Sequence, residues 1–231
     1  MHPLATPALL SALRNTPNLP ANSWYYLSSV AFALLNHPSA IPHIYTTALS
    51  TASDDEGASE ILAKSREALL KASAIGGLPS TINALHALKS VVASDLLDAP
   101  SPTSRADRVL SEAAGAELWD SIYGKLGGRV MSALRRSYDD LGTVARLVYA
   151  GVLAEEKILG RRETGWVLVA GLRIGGAAWE SQRKGHRRGV VNNGGSWEEV
   201  EAVERLAERI LDEVRKAGGL VGRMAVPGEG L

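Results

Sequence analysis

The 231-residue chain contains no cysteine. That excludes disulfides, thiolate metal sites, iron–sulfur clusters and thiol redox cycling. It leaves the compartment open, because a thiol-free chain folds alike in oxidising and reducing surroundings. Acidic residues are missing from the first 53 positions, which also lack glycine and carry a single Lys or Arg, Arg14. Six of the ten prolines lie there. The longest apolar run of this segment is Val30 to Leu35, well short of the roughly 20 residues a spanning helix needs. The opening Met-His-Pro-Leu-Ala-Thr-Pro has neither the basic stretch nor the apolar run of a secretory signal, and the segment is too poor in Arg for a mitochondrial leader. The chain ends in Pro-Gly-Glu-Gly-Leu rather than a Ser-Lys-Leu type tripeptide. The segment therefore reads as a buried helical layer.

Charge of either sign is not in excess: 25 basic side chains face 25 acidic ones. Such a balance argues against a chain held on nucleic acid or an anionic membrane by its overall field. The only dense basic cluster is Arg183-Lys-Gly-His-Arg-Arg188, and the acidic stretch after Trp197 follows it directly. The five histidines, at 2, 37, 43, 86 and 186, have no ligand spacing. Phosphate-cradling glycine loops and a Gly-x-Ser-x-Gly elbow are absent. No metal or cofactor is expected.

What the chain does have is helical periodicity. Ser23 opens a helix that ends before Pro38, and Pro42 opens another to about Thr51. A helix from about 58 to 74 carries Ile61, Leu62, Leu69, Leu70 and Ala72 as core candidates. Gly76-Gly77 ends it, and Pro79 suits the first turn of the next. That next helix has Ile82, Leu85, Leu88 and Val91 as its apolar face. Asp98-Ala-Pro-Ser-Pro-Thr-Ser104 reads as a loop between two halves. Helices then fit about 105–115, 117–135 and 140–157, with a longer one from about 161 into the 180s. Ser196-Trp-Glu-Glu199 is a capping box, followed by Val200, Val203, Ala207, Ile210 and Val214 at helical spacing. Trp166-Val-Leu-Val-Ala is strand-like only locally, so the fold class is all-α. Ile75-Gly-Gly77 and Ile174-Gly-Gly176 each follow an Arg-Glu pair and precede a helix with a histidine, His86 or His186. This is a faint internal echo.

At about 100° per residue, Trp179, Gln182, Arg183 and His186 share a helix face. Imidazole is the natural proton carrier near neutral pH, and a guanidinium fork suits a substrate carboxylate. The bland reading is a packed or surface histidine. Glu180 lies four residues before Lys184 and reads as a surface pair. Asn192-Asn193-Gly194-Gly195 reads as a turn, with a backbone–ligand contact at Asn193 as the second reading. Tyr123 and Tyr149 serve equally as pocket walls or core.

The segment from Arg162 to about Leu206 resembles the carboxymuconolactone decarboxylase and alkylhydroperoxidase D-like superfamily. The order Arg162-Glu163, His186, Asn192-Asn193-Gly194, Ser196 and Glu198-Glu199-Val200 carries the likeness. Three further stretches are similar to a fungal-type branch with an extra N-terminal half: Ser65 to Lys71, Gly77 to Leu85 and Leu118 to Lys125. The resemblance implies an all-helical bundle of two related halves and homo-oligomers. It divides the chain into a helical layer over 1–56, a degenerate first repeat over 57–99 and the family domain over 105–220. It also implies an intracellular site, mitochondrial or peroxisomal. One chemistry of the superfamily reduces peroxides with two cysteines, at positions held here by Trp179 and Gln182. The other decarboxylates a lactone acid by proton transfer. The expectation is acid–base chemistry on a small carboxylate or lactone, decarboxylation or isomerisation. His186 would be the proton shuttle, Glu163 its partner, Arg183 the anion holder, and Gln182, Trp179 and Asn193 the substrate walls. Glu163 lies 23 residues before His186, about one turn more than the family spacing. The alternative is a non-catalytic helical oligomer acting in assembly or interaction.

Overall fold

The computed structural model describes residues 2–52, 56–97, 105 and 111–218. Every regular element among them is helical. The acid-free segment supplies α1 (Pro7–Arg14), α2 (Trp24–Leu34) and α3 (Ile41–Ser50). All of α2 from Trp24 to Ala33 is buried, as befits a helix apolar on every side. It packs against α3, α4 (Ala58–Lys89), α9 (Arg161–Ile174) and α11 (Trp197–Lys216). One apolar core thus runs from Leu4 to Val214.

α4 is two arms joined at Gly77, whose φ of +74° only glycine adopts cheaply. The hydroxyl of Thr81 donates to the Gly77 carbonyl at 3.1 Å and reaches the Leu69 carbonyl at 3.5 Å. Residues twelve apart lie about 18 Å apart in a straight helix, so the second arm folds back on the first. This turn corrects the expected apolar face. Thr81, Ala84 and Leu88 point inward, while Ile82 is 57% and Val91 37% exposed. His86 is exposed as well.

The 98–104 loop lies outside the described residues. After α5 (Ser94–Leu97), α6 (Glu112–Tyr123) starts where the Ser111 hydroxyl accepts from the Ala114 amide at 3.1 Å. The single helix expected over 117–135 is instead split. Gly124, at φ +50°, ends α6, and α7 (Gly127–Ser137) begins after a 3-10 turn. α8 (Asp139–Val148) runs into a π-helical turn, Tyr149–Leu153.

The long helix expected from 161 into the 180s is also two. Gly176, at φ +62°, turns the chain between α9 and α10 (Glu180–Asn192). The pair forms an antiparallel hairpin in which a side chain at Gly165 would fall 2.7 Å from Val190. Both Ile-Gly-Gly segments are therefore hairpin tips. Trp166 to Ala170 is buried helix, not strand. The capping box at the head of α11 forms, with Ser196 and Glu199 each accepting from the other's amide at 3.2 Å.

One buried cation ties the halves together. Lys71 of α4 is fully buried. Its ammonium donates to the carbonyls of Leu153 (3.1 Å), Glu155 (2.6 Å) and Leu159 (3.0 Å) and to the Thr164 hydroxyl (2.5 Å). Glu67, one turn away at 3.7 Å, supplies the counter-charge and is itself gripped by both arms of Arg105. Among the described residues no helix is long and apolar enough to cross a membrane.

Candidate functional site

α6, α9 and the π-helical turn bury a second, smaller apolar cluster: Leu118, Trp119, Ile122, Tyr149, Leu153 and Leu168. α10 lies across it, and glycine sets how closely. A side chain at Gly185 would fall 2.9 Å from the Tyr123 ring, and one at Gly189 would fall 2.8 Å from Ile122. The Asn192 amide donates to the Ile122 carbonyl at 3.0 Å and fixes the register. This close approach places His186 against Tyr123.

His186 is 8% exposed. Its Nε2 lies 3.4 Å from the Tyr123 hydroxyl, which accepts from the Tyr149 hydroxyl at 3.3 Å. With the Tyr149 hydroxyl donating to Tyr123, the Tyr123 proton points at Nε2. The tautomer consistent with that direction has Nε2 as acceptor and the ring proton on Nδ1. Nδ1 is buried with no hydrogen-bond partner. Such an unmatched buried polar atom is costly. Burial pushes the imidazole down to about 4, so it is neutral at physiological pH. Burial raises both tyrosines. Trp119 packs on both rings, at 4.5 and 4.8 Å between centroids. The arrangement is a hydroxyl–hydroxyl–imidazole relay that can carry a proton inward from Tyr149 to Nδ1.

Of the residues expected around His186, none joins this relay. Glu163 sits in the first turn of α9 and makes no hydrogen bond or ion pair to His186, whose nitrogens meet Tyr123 or nothing. The antiparallel hairpin sets Gly165 beside Val190, so Glu163 lies at the far end of α10, nearly two turns beyond His186. Its charge is felt by Tyr26 instead. Arg183 turns to α11. It pairs with Glu180 and stands 3.6 Å from Glu204, which Arg187 also approaches at 3.5 Å. The face shared by Arg183 and His186 on a helical wheel is divided between two neighbours: α11 takes the arginines and α6 takes the imidazole. Glu180 consequently pairs with Arg183, not Lys184. Gln182 is exposed and accepts from Ser181. Trp179 packs over Gly175 at the hairpin tip. The Asn193 amide donates to the Gly189 carbonyl at 2.8 Å and closes α10.

The relay's tyrosines were legible only as aromatic residues of open role. Trp119 and Lys71 left a weaker signal. Lys71 stands between Leu70 and Ala72 on an apolar face one turn after Glu67, which is an i,i+4 pair where no surface is available.

No family model matches the chain, and no solved structure matches it. Two curated proteins do, both named Peroxisomal protein 2. The one from Saccharomyces cerevisiae is 28% identical over 80% of this chain and 86% of its own length. The one from Schizosaccharomyces pombe is 28% identical over 82% of this chain and 85% of its own length.

Proposed function

We propose that this chain is a cofactor-free acid–base enzyme acting on a small carboxylate or lactone, in the peroxisome. The single observation that carries the reading is the neutral, buried His186 with Nε2 on a two-tyrosine relay and Nδ1 without a partner. A carboxylate whose bonding electrons can pass into a lactone carbonyl loses carbon dioxide to leave an enolate. The Nδ1 proton is delivered to the enolate carbon while Nε2 takes the Tyr123 proton. Tyr123 is refilled from Tyr149, and Tyr149 from water. The names of the two yeast relatives support the compartment. Thiol peroxidase chemistry has no support, since Trp179 and Gln182 stand where its cysteines would be.

The test is carbon dioxide release from carboxymuconolactone by the purified chain. General acid–base groups contribute typically 10²–10⁴-fold. His186→Gln is expected to lose about that much, and Tyr123→Phe about tenfold. Turnover unchanged in a folded His186→Gln variant would overturn the reading.

One observation favours the scaffold reading. Leu141, Val144 and Leu147, spaced three apart on α8, and Leu126 and Tyr138, which flank α7, are all at least 41% exposed. The basic Arg135 and Arg136 precede, across two intervening residues, the acidic Asp139 and Asp140, so a second copy would meet both apolar and complementary charged surface. Under that reading Val144→Glu lowers the sedimentation mass, and His186→Gln changes nothing.

A further inference from the structure

The acid-free N-terminal segment takes no part in the proton relay, yet it encloses a site of its own. Between α1 and α3 lies a cavity of about 310 Å³, within the size range of small-molecule pockets. Leu10, Ser11 and Arg14 line it from α1, and His43, Thr47 and Thr51 from the α3 side. No carboxylate is among its described lining residues. His2 forms one wall and is locked. Its Nδ1 accepts from the amides of Leu4 and Ala5 at 3.1 and 3.0 Å, so Nε2 carries the proton and donates to Ser39 at 2.9 Å. The His43 ring sits 5.5 Å from it and makes no hydrogen bond among the described residues, so its own nitrogens are available.

Arg14 marks the other end. One of its amino groups donates to the Thr51 carbonyl at 3.0 Å, and it forms no ion pair among the described residues. Glu56, across a neighbouring cavity that shares Arg14, is already occupied by the Tyr25 hydroxyl at 2.9 Å and Lys64 at 3.0 Å. Among the described residues no carboxylate meets the guanidinium, and its remaining N–H groups suit an outside carboxylate. His43 on α3 and Thr51, the residue just after it and the partner of Arg14, are eight residues apart, about 12 Å of helix rise, so the His43 and Arg14 side chains mark opposite ends of the groove. A compact ion reaches only one of them. Between them the wall is Leu10, flanked by the hydroxyls of Ser11 and Thr47.

We infer that the α1–α3 groove binds an elongated organic dicarboxylate, one carboxylate on Arg14, the other on His43 and the carbon chain over Leu10. The test is calorimetric titration of the full chain with hexanedioate, octanedioate and acetate at matched ionic strength. A dicarboxylate is expected to bind saturably and at least about tenfold tighter than acetate, the effect of about 1.4 kcal/mol from a second anchored carboxylate. Arg14→Gln and His43→Gln should each weaken it about fivefold or more with unchanged thermal melting, because both side chains are exposed. His186→Gln should leave it unchanged, which separates this groove from the proton relay. Absence of saturable heat, acetate binding as tightly as octanedioate, indifference to Arg14→Gln, or loss in His186→Gln would each overturn the inference.

Discussion

The Tyr123 hydroxyl stands 3.4 Å from His186 Nε2 because the residue before the histidine has no side chain. A Cβ at Gly185 would fall 2.9 Å from the Tyr123 ring, closer than real contacts allow. Gly185→Ala should push the ring off the imidazole. We expect about 1–3 kcal/mol of destabilisation, the usual cost of overfilling a packed interface, and a loss of turnover matching Tyr123→Phe. Urea unfolding and the carbon dioxide assay measure the two. Full activity in Gly185→Ala would show that the contact is not used.

Burial holds His186 at about 4 against an ordinary 6.5. Between those values the unfolded chain takes a proton that the folded chain refuses. Its contribution to stability is therefore complete above pH 6.5 and is lost as the pH falls toward 4. From pH 7 to pH 5 the loss attributable to this group is about 2 kcal/mol. Carboxylates titrate in the same range, so the measurement is the difference between the natural chain and His186→Phe in urea at both pH values. Parallel pH profiles for the two proteins would contradict a buried neutral imidazole.

Lys71 titrates in the opposite part of the scale. Burial lowers it to about 8, with Glu67 opposing the shift, whereas in the unfolded chain it is ordinary at about 10.5. Over that window the unfolded chain binds the extra proton, so stability rises with pH. The gain from pH 7.5 to 9.5 is about 2 kcal/mol. Tyr25, Tyr26 and Tyr149 are pushed upward by burial, so their contribution reverses the trend above about pH 10. Lys71→Met should abolish the rise. It should also cost about 3–5 kcal/mol at pH 7, because it leaves three buried carbonyls without their donor and Glu67 with Arg105 as its one close cation among the described residues.

Local rules carried much of the fold. The cap at Ser196 and the glycine pair at 76–77 act within one turn of chain, and each is where the residues alone placed it. The errors came where neighbours in space decide. Gly124 reads as one tolerated glycine in a helix, but at φ +50° it ends one. Ile82 continues an apolar pattern that the turn at Gly77 rotates outward. In the site, His186 was legible and its company was not. A helical wheel groups Arg183 with His186, and only the packing of α10 between α6 and α11 separates them.

By itself the sequence determined that the chain is helical, where several helices start and stop, and that it carries no cysteine thiol of its own. Those properties depend on backbone conformations and side chains close along the chain. Only the tertiary structure decided that Tyr123 rather than Glu163 meets the imidazole and that Lys71 closes onto a loop more than 80 residues away. Those outcomes depend on which small residues let two helices approach, and on how buried polar groups find partners once water is gone.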